Sequence, residues 1–578
     1  MYLSKSFPAL VAMAALAGCD TDGDPNSKTV YINVPAITIN GAFSLNGGSF
    51  PASQYEHGII SLADSNGNEA PLGKTYSVSY QTEVVAGNYR TQYSHVYGGA
   101  QVPVNRGKEI ETGFSLLEDQ SLDINATAFQ AQFTLTLNGA PFPASEYDDA
   151  LFYLQPEDGG ERILLGNSHA VLPPVMLMPG DYEVIYTLET PGATVPLNQN
   201  AIVGQVVVND SAINITIDVK ATDFRLSATL DGLAFPVSQY NDGNFLLVSS
   251  TQDRVELGDS YNLPFSVRVI EGTYDLIYRH ETGTAVPANT EAIILSDQEI
   301  SQATPIAEPN IPSILITPIY TLDGVPFPIS EYQDANIFLR GTNQNDLFFL
   351  GNTHDPDPAA VRIIPGTYDV IYRHETGSSV PQNTNAVVMQ ATVLNSSGQL
   401  AIAVQSAIAT ATFSLNDASF TTNPVHYGRF FLEGSEEGDT IFLGNSYNGS
   451  GTVRVIPTTY DVIYEHVTGS QVPGNKHATI LSDVDVNNTT ALPVNLEATQ
   501  IHPSFTLNGF PFPATLDEHA LFVMQKTDMD NEVYLGRSFL SPTTLFALNG
   551  NYDVFYEYIN GATIPVNDRI KIRNLVLP

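Results

Sequence analysis

Phe133-Thr134-Leu135-Thr136-Leu137-Asn138-Gly139 alternates large apolar side chains with threonines and then stops at Asn-Gly. Alternation of period two is the pattern of a half-buried strand, and Asn-Gly supplies the positive backbone angles of a tight hairpin turn. The same turn recurs at Asn46-Gly47, Asp231-Gly232, Asp323-Gly324, Asn416-Asp417 and Asn508-Gly509, in steps of 92, 93, 92, 93 and 92 residues. A tyrosine keeps this beat at Tyr89, Tyr182, Tyr274, Tyr368, Tyr460 and Tyr552, and so does a Val-Pro or Ile-Pro pair at Pro103, Pro196, Pro287, Pro381, Pro473 and Pro565. Three landmarks in phase across six copies mark an array of like domains.

Within a copy the reading is sheet. Tyr368, Val370 and Tyr372 alternate with Asp369, Ile371 and Arg373 directly after Pro365-Gly366, and β-branched and aromatic residues favour strands. No segment carries a sustained helical period with capping residues. Seven or so strands per copy predict an all-β chain of six antiparallel β-sandwiches, immunoglobulin-like or prealbumin-like. Leu137-Asn138-Gly139-Ala140-Pro141-Phe142-Pro143-Ala144-Ser145 and Pro365-Gly366-Thr367-Tyr368-Asp369-Val370 resemble the two signatures of carboxypeptidase-regulatory-like, or prealbumin-like, domains. The resemblance implies β-sandwich spacers or interaction modules strung along exported proteins, without catalysis. The second half of the copy, as in Tyr372-Arg373-His374-Glu375-Thr376-Gly377, departs from it.

Ile32-Asn33-Val34 stands at the same offset from a turn as Ile217-Asp218-Val219, and each repeat is expected to open with this strand. The repeats then run 30–120, 121–212, 213–305, 306–399, 400–491 and 492–578. Linkers are short, so neighbours abut. Sandwiches of this size are about 30–40 Å across, and six in an extended array would reach on the order of 200 Å.

Lys5 followed by the apolar run Phe7–Leu16 reads as a secretory signal over residues 1–18. Leu16-Ala17-Gly18-Cys19 resembles the lipobox of bacterial lipoproteins, which implies cleavage before Cys19 and acylation of that residue. Cys19 is the one cysteine of the chain, so no internal disulfide supports any domain. Residues 19–29 are expected to form a polar tether. Asp20 resembles a signal for retention in the inner membrane, though the choice between inner and outer membrane stays open. With 23 basic against 62 acidic residues the net charge is −39, which argues against a nucleic-acid partner.

Several groupings imitate functional sites. Gly258-Asp259-Ser260-Tyr261 resembles an esterase nucleophile block, but its siblings hold Thr75, Ser168, Thr353, Ser446 and Ser538 beside Lys, Asn or Arg, so turn chemistry is the expectation. His95, His280, His374 and His466 share a register with Leu188 and Tyr558, a bulky packing position. His354, Asp355 and Asp357 form the one oxygen-rich cluster with a claim to a metal, an incomplete shell. Phe-Pro-x-Ser-x-Tyr places Tyr55, Tyr147, Tyr240 and Tyr332 near each hairpin. These are candidates for stacking a glycan or peptide, although core packing with a bonded hydroxyl is favoured.

The expectation is a non-catalytic, lipid-anchored envelope protein without cofactor. It would be a rod-like stalk or multivalent adhesion surface. The alternative is a factor that grips one glycan or envelope protein in a groove between neighbouring repeats.

Overall fold

The computed structural model describes residues 27–77, 79–192, 194–209, 211–343, 345–527, 531–540 and 543–578. The signal, Cys19 and Asp20 lie outside the described residues. Among those described, strands dominate, and the only helical elements are the three-residue turns Ser260–Asn262 and Ser446–Asn448. Among the described residues no helix is long and apolar enough to cross a membrane.

The first sandwich shows the plan. A strand that precedes it, β1 (Ser27–Val34), is followed by β2 (Ala36–Leu45), β3 (Gly48–Ser49), β4 (His57–Ala63) and β5 (Glu69–Lys74). Then come β6 (Ser79–Val85), β7 (Gly87–Tyr97), β8 (Lys108–Leu116), β9 (Gln120–Ser121) and β10 (Ile124–Ala126). One sheet has the order β5-β4-β7-β8, antiparallel throughout. In the other, β2 pairs antiparallel with β6 and parallel with β9 and β10. The chain is therefore six all-β sandwiches, each closed by a parallel strand laid beside its first strand.

That closing strand is the Ile-x-Val element, which corrects the expected repeat frame. Ile213–Val219 pairs with Phe129–Leu137 of the unit before it, and Gly398–Val404 pairs with Ile314–Leu322 in the same way. The strand finishes a sandwich instead of opening one. Units accordingly run 36–126, 129–219, 221–311, 314–404, 407–496 and 498–577, each one strand later than the sequence implied.

Shifting the frame leaves the last unit without a closing strand and the first with a surplus one. The two facts cancel. β1 lies parallel on Ala498–Leu507 of unit six, in continuous register from Ser27↔Gln500 to Val34↔Leu507. Val30, Ile32 and Val34 point into that unit's core, while Tyr31 and Asn33 face outward. The expected tether therefore ends earlier, since residues 27–29 already belong to β1 and Lys28 Nζ donates to the Val576 carbonyl.

Each hairpin turn also clamps the start of the next unit. Asn46 exchanges two hydrogen bonds with Ala128, Asn138 does so with Ala221, and Asn416 with Ala498. Asp231 and Asp323 hold Ser313 and Ser406 through amide and hydroxyl. Asn508 holds Ala36, from the last unit to the first, at 2.8 and 3.0 Å.

The array is thus a closed ring, and the extended rod is overturned. Six equivalent junctions that return to their start must share one full turn. The first strand of each unit spans from one clamp to the next; with ten residues in β2 at about 3.3 Å each, the clamps form a hexagon of side roughly 33 Å and diameter roughly 65 Å.

Ile32→Asp places a carboxylate in the core of unit six, at a cost of several kcal/mol without a partner. The expected result is a ring opened at this seam, with a larger maximum dimension in solution scattering and unchanged strand content by circular dichroism. An unchanged dimension would show that β1 does not hold the ring.

Candidate functional site: the junctions between units

The two other sequence landmarks meet at the junctions. After each Val-Pro or Ile-Pro pair the chain carries an asparagine: Asn105, Asn198, Asn289, Asn383, Asn475 and Asn567. All six are buried, between 0% and 2% exposed. Each reaches into the next unit. The amide nitrogen donates to the hydroxyl of the landmark tyrosine, from Asn105 to Tyr182 and onward round to Asn567 and Tyr89, at 2.8–3.1 Å. The amide oxygen accepts the backbone N–H of Met178, Ile270, Ile364, Ile456, Leu548 or Val85 at 2.7–2.9 Å. The tyrosine hydroxyl donates back to the carbonyl of that same residue at 2.5–2.8 Å.

The loop that presents the asparagine is fixed from within its own unit. A second tyrosine, four residues after the first, donates to the proline carbonyl at 2.7–3.0 Å in every copy, from Tyr93 and Pro103 to Tyr556 and Pro565. Two residues further on, the backbone N–H of His95, Leu188, His280, His374, His466 or Tyr558 donates to the asparagine carbonyl. That register tolerates such different side chains because its constant contribution is main chain. Burial lowers the pKa of His95, His280 and His466, so these rings are held neutral against the loop.

At the second, third and fourth of these docking loops a carboxylate joins the bridge. Asp253, Asp346 and Asp439 accept from the asparagine amide and from the two backbone N–H groups that follow it. Burial pushes all three carboxyls above their ordinary range, although these hydrogen bonds pull the other way. At the fifth loop Asn531 receives the amide of Lys476 instead.

The remaining candidates lie apart from this network. Ser168, Ser260 and Thr353 donate to Asp149, Asp242 and Asp334 at 2.7–3.0 Å and accept the backbone N–H of the residue after each aspartate, Ala150, Gly243 or Ala335. Both capacities of each hydroxyl hold the strand end in place. His354 turns to Asp334 at 2.8 Å, whereas Asp355 accepts the amide of Asp357, and no group of three metal-ligating side chains occurs among the described residues.

The favoured packing of the Phe-Pro-x-Ser-x-Tyr tyrosines is corrected. Tyr55, Tyr147, Tyr240 and Tyr332 are 67–74% exposed. The phenylalanine of the motif fills the core slot, as Phe50, Phe142, Phe235 and Phe327. The serine hydroxyl takes the tyrosine's own amide, which turns the ring outward.

No protein-family model matches the chain, and no curated protein matches it. Among solved structures, a streptococcal ancillary pilin is similar at 11% identity over 48% of this chain and 98% of its own, with a TM-score of 0.18. Two B repeat units of the collagen binding protein of Staphylococcus aureus are similar at 12% identity over 63% and 99%, with a TM-score of 0.12. Putative polysaccharide binding proteins from Bacteroides thetaiotaomicron are similar at 11% over 32% and 90%, with a TM-score of 0.15. Likeness at this level carries nothing about activity.

Asn567→Ala strands the Val85 amide and one partner of Tyr89 in a buried joint, and is expected to cost about 2–3 kcal/mol there. Hydrogen exchange at Val85 should accelerate while the equivalent Ile364 amide stays protected; equal protection would remove the bridge from the account. A second expectation concerns pH. Asp253, Asp346 and Asp439 keep their protons in the folded chain at pH values where the unfolded chain has lost them. The stability they contribute is full below about pH 4, the ordinary carboxyl value, and is lost as pH rises through their native values. The wild type should therefore gain on the triple Asp→Asn variant as pH falls from 7 to 4.5 in urea titrations, and a constant gap would contradict this.

Proposed function

We propose that this chain is a lipid-anchored, non-catalytic ring of the bacterial cell envelope, a platform for structure or adhesion held close to its membrane. The observation that carries the reading is the position of the closing strand. Only seven residues lie between Cys19 and Ser27, and the eight steps from one to the other, at about 3.5 Å each, reach roughly 28 Å. An acylated Cys19 would thus hold the ring beside the lipid, where a rod would have carried its far end away. Several acyl chains make a durable anchor. Asp20 favours the inner membrane for this anchor.

A second reading has its own support. Crevices occur at the junctions of units one and two (430 Å³, lined by Lys108, Asp158 and Met178), six and one (570 Å³), and four and five (580 Å³). Their linings differ, which suits one partner gripped at one joint. A glycan or envelope protein bound in a single crevice would respond to substitution at that junction alone, whereas an adhesion platform would respond in proportion to the number of units altered.

Labelling with radioactive palmitate tests the anchor. The wild type should incorporate label and fractionate with membranes, and Cys19→Ala should do neither. Equal labelling of both would refute the anchored reading.

A further inference from the structure

Interchangeability breaks down where β4 of unit one begins, as it does at the matching positions of units five and six, Tyr427 and His519. Where β4 begins, His57 pairs across the sheet with Tyr97 at the end of β7. The same pair is Asp149 with Thr190 in unit two, Asp242 with Thr282 in unit three and Asp334 with Thr376 in unit four. Unit one thus exchanges a carboxylate and a small hydroxyl for two aromatic rings. Tyr76 lies edge-on to His57 at 5.0 Å, and Tyr97 lies parallel to His57 at 6.5 Å. Tyr55, one of the outward-turned motif tyrosines, meets Tyr97 edge-on at 6.5 Å.

Exposure divides the cluster into an outer pair of rings and a buried one. Tyr55 and Tyr97 are 67% and 60% exposed, so adjacent aromatic faces meet water. His57 is only 5% exposed, and its two ring nitrogens, shut off from solvent, have no hydrogen-bond partner among the described residues, so this ring backs the tyrosines from below. In the second, third and fourth units the hydroxyl that follows is bonded to the aspartate. Thr75 of unit one accepts the Gly58 amide but has no carboxylate beside it. The loop after Tyr97 is held still, because Glu56 accepts the amides of Gly99 and Gln101.

We propose that Tyr55 and Tyr97, backed by Tyr76 and His57, form a binding site for a neutral saccharide. A pyranose ring offers a face of C–H groups to the negative face of an aromatic ring, and its hydroxyls need a donor and an acceptor nearby. The hydroxyls of the exposed Tyr55 and Tyr97 each provide both. The net charge of −39 repels anionic sugars. Lys74, with Nζ 6.0 Å from the Tyr76 centroid, opposes a cationic guest in the aromatic cluster. The inference deepens the platform reading by naming a ligand class. Its test needs no membrane, so failure of the anchor would leave it standing.

The test uses the full chain as Cys19→Ala, titrated by calorimetry with cellohexaose, chitohexaose and maltohexaose, and separately with tetramethylammonium. Binding of at least one hexasaccharide is expected. Tyr97→Thr and His57→Asp, which install the residues of unit two, should weaken it on the order of ten-fold while the melting temperature shows both variants folded. Tyr147→Ala, at the matching turn of unit two, should leave it unchanged. The proposal is overturned if no hexasaccharide binds, if both variants bind as the parent does, or if tetramethylammonium binds the cluster instead.

Discussion

A buried asparagine that spends its whole amide on the neighbouring unit sets the geometry of this molecule. It satisfies a backbone N–H and a tyrosine hydroxyl that would otherwise be stranded at the joint, and unmet polar groups in such places are costly. Burial raises the pKa of Tyr89, Tyr182, Tyr274, Tyr368 and Tyr460, so their hydroxyls stay protonated and continue to donate to the carbonyl four residues back. Because donor and acceptor are both prescribed, the joint has one orientation. Repeating one orientation six times fixes a curvature, and here the curvature is a full turn.

Closure answers two difficulties that linear arrays face. An open array needs capping units at its ends and leaves the outermost strand edges unpaired. The ring has neither ends nor caps. The last unit lacks a closing strand of its own, and the first eight described residues supply it. Of the six junctions, only this one has no peptide bond running through it. It is nevertheless an intramolecular contact, so its pairing is favoured by the high effective concentration of a tethered strand. A second copy gains little by taking its place, since the joint angle already brings unit six back to unit one.

Much of this was legible in the sequence, and the misreading was local. Period-two alternation and the Asn-Gly turns identified the sheets and the copy number, because both depend on nearest-neighbour backbone chemistry. Asn46, Pro103 and Tyr89 were visible as landmarks, yet their roles as clamp, loop and bridge are long-range. The buried asparagines were missed as functional residues, although each lies two residues beyond its landmark proline. The arithmetic of strands was also available: unit six had one run too few after Pro565, and the chain began with one run too many at Ile32. Reading β1 as the opening of unit one hid that balance. Tyr55 and its siblings were misassigned for a similar reason, since Phe50 and Tyr55 are equally suited to a core by composition, and only the Ser53 turn decides which enters.

Six equivalent joints explain where variation is tolerated. Positions that face the joint, such as Asn289 and Tyr368, keep their identity because any change would alter the angle and break closure everywhere. Positions on the far ends of the sheets carry no such constraint, and there the copies drift: aspartate, tyrosine and histidine alternate at the start of the strand that holds His57. A closed ring therefore separates its two tasks in space. Shape is set at the junctions, and any recognition that distinguishes one unit from another must be written on surfaces the junctions do not use.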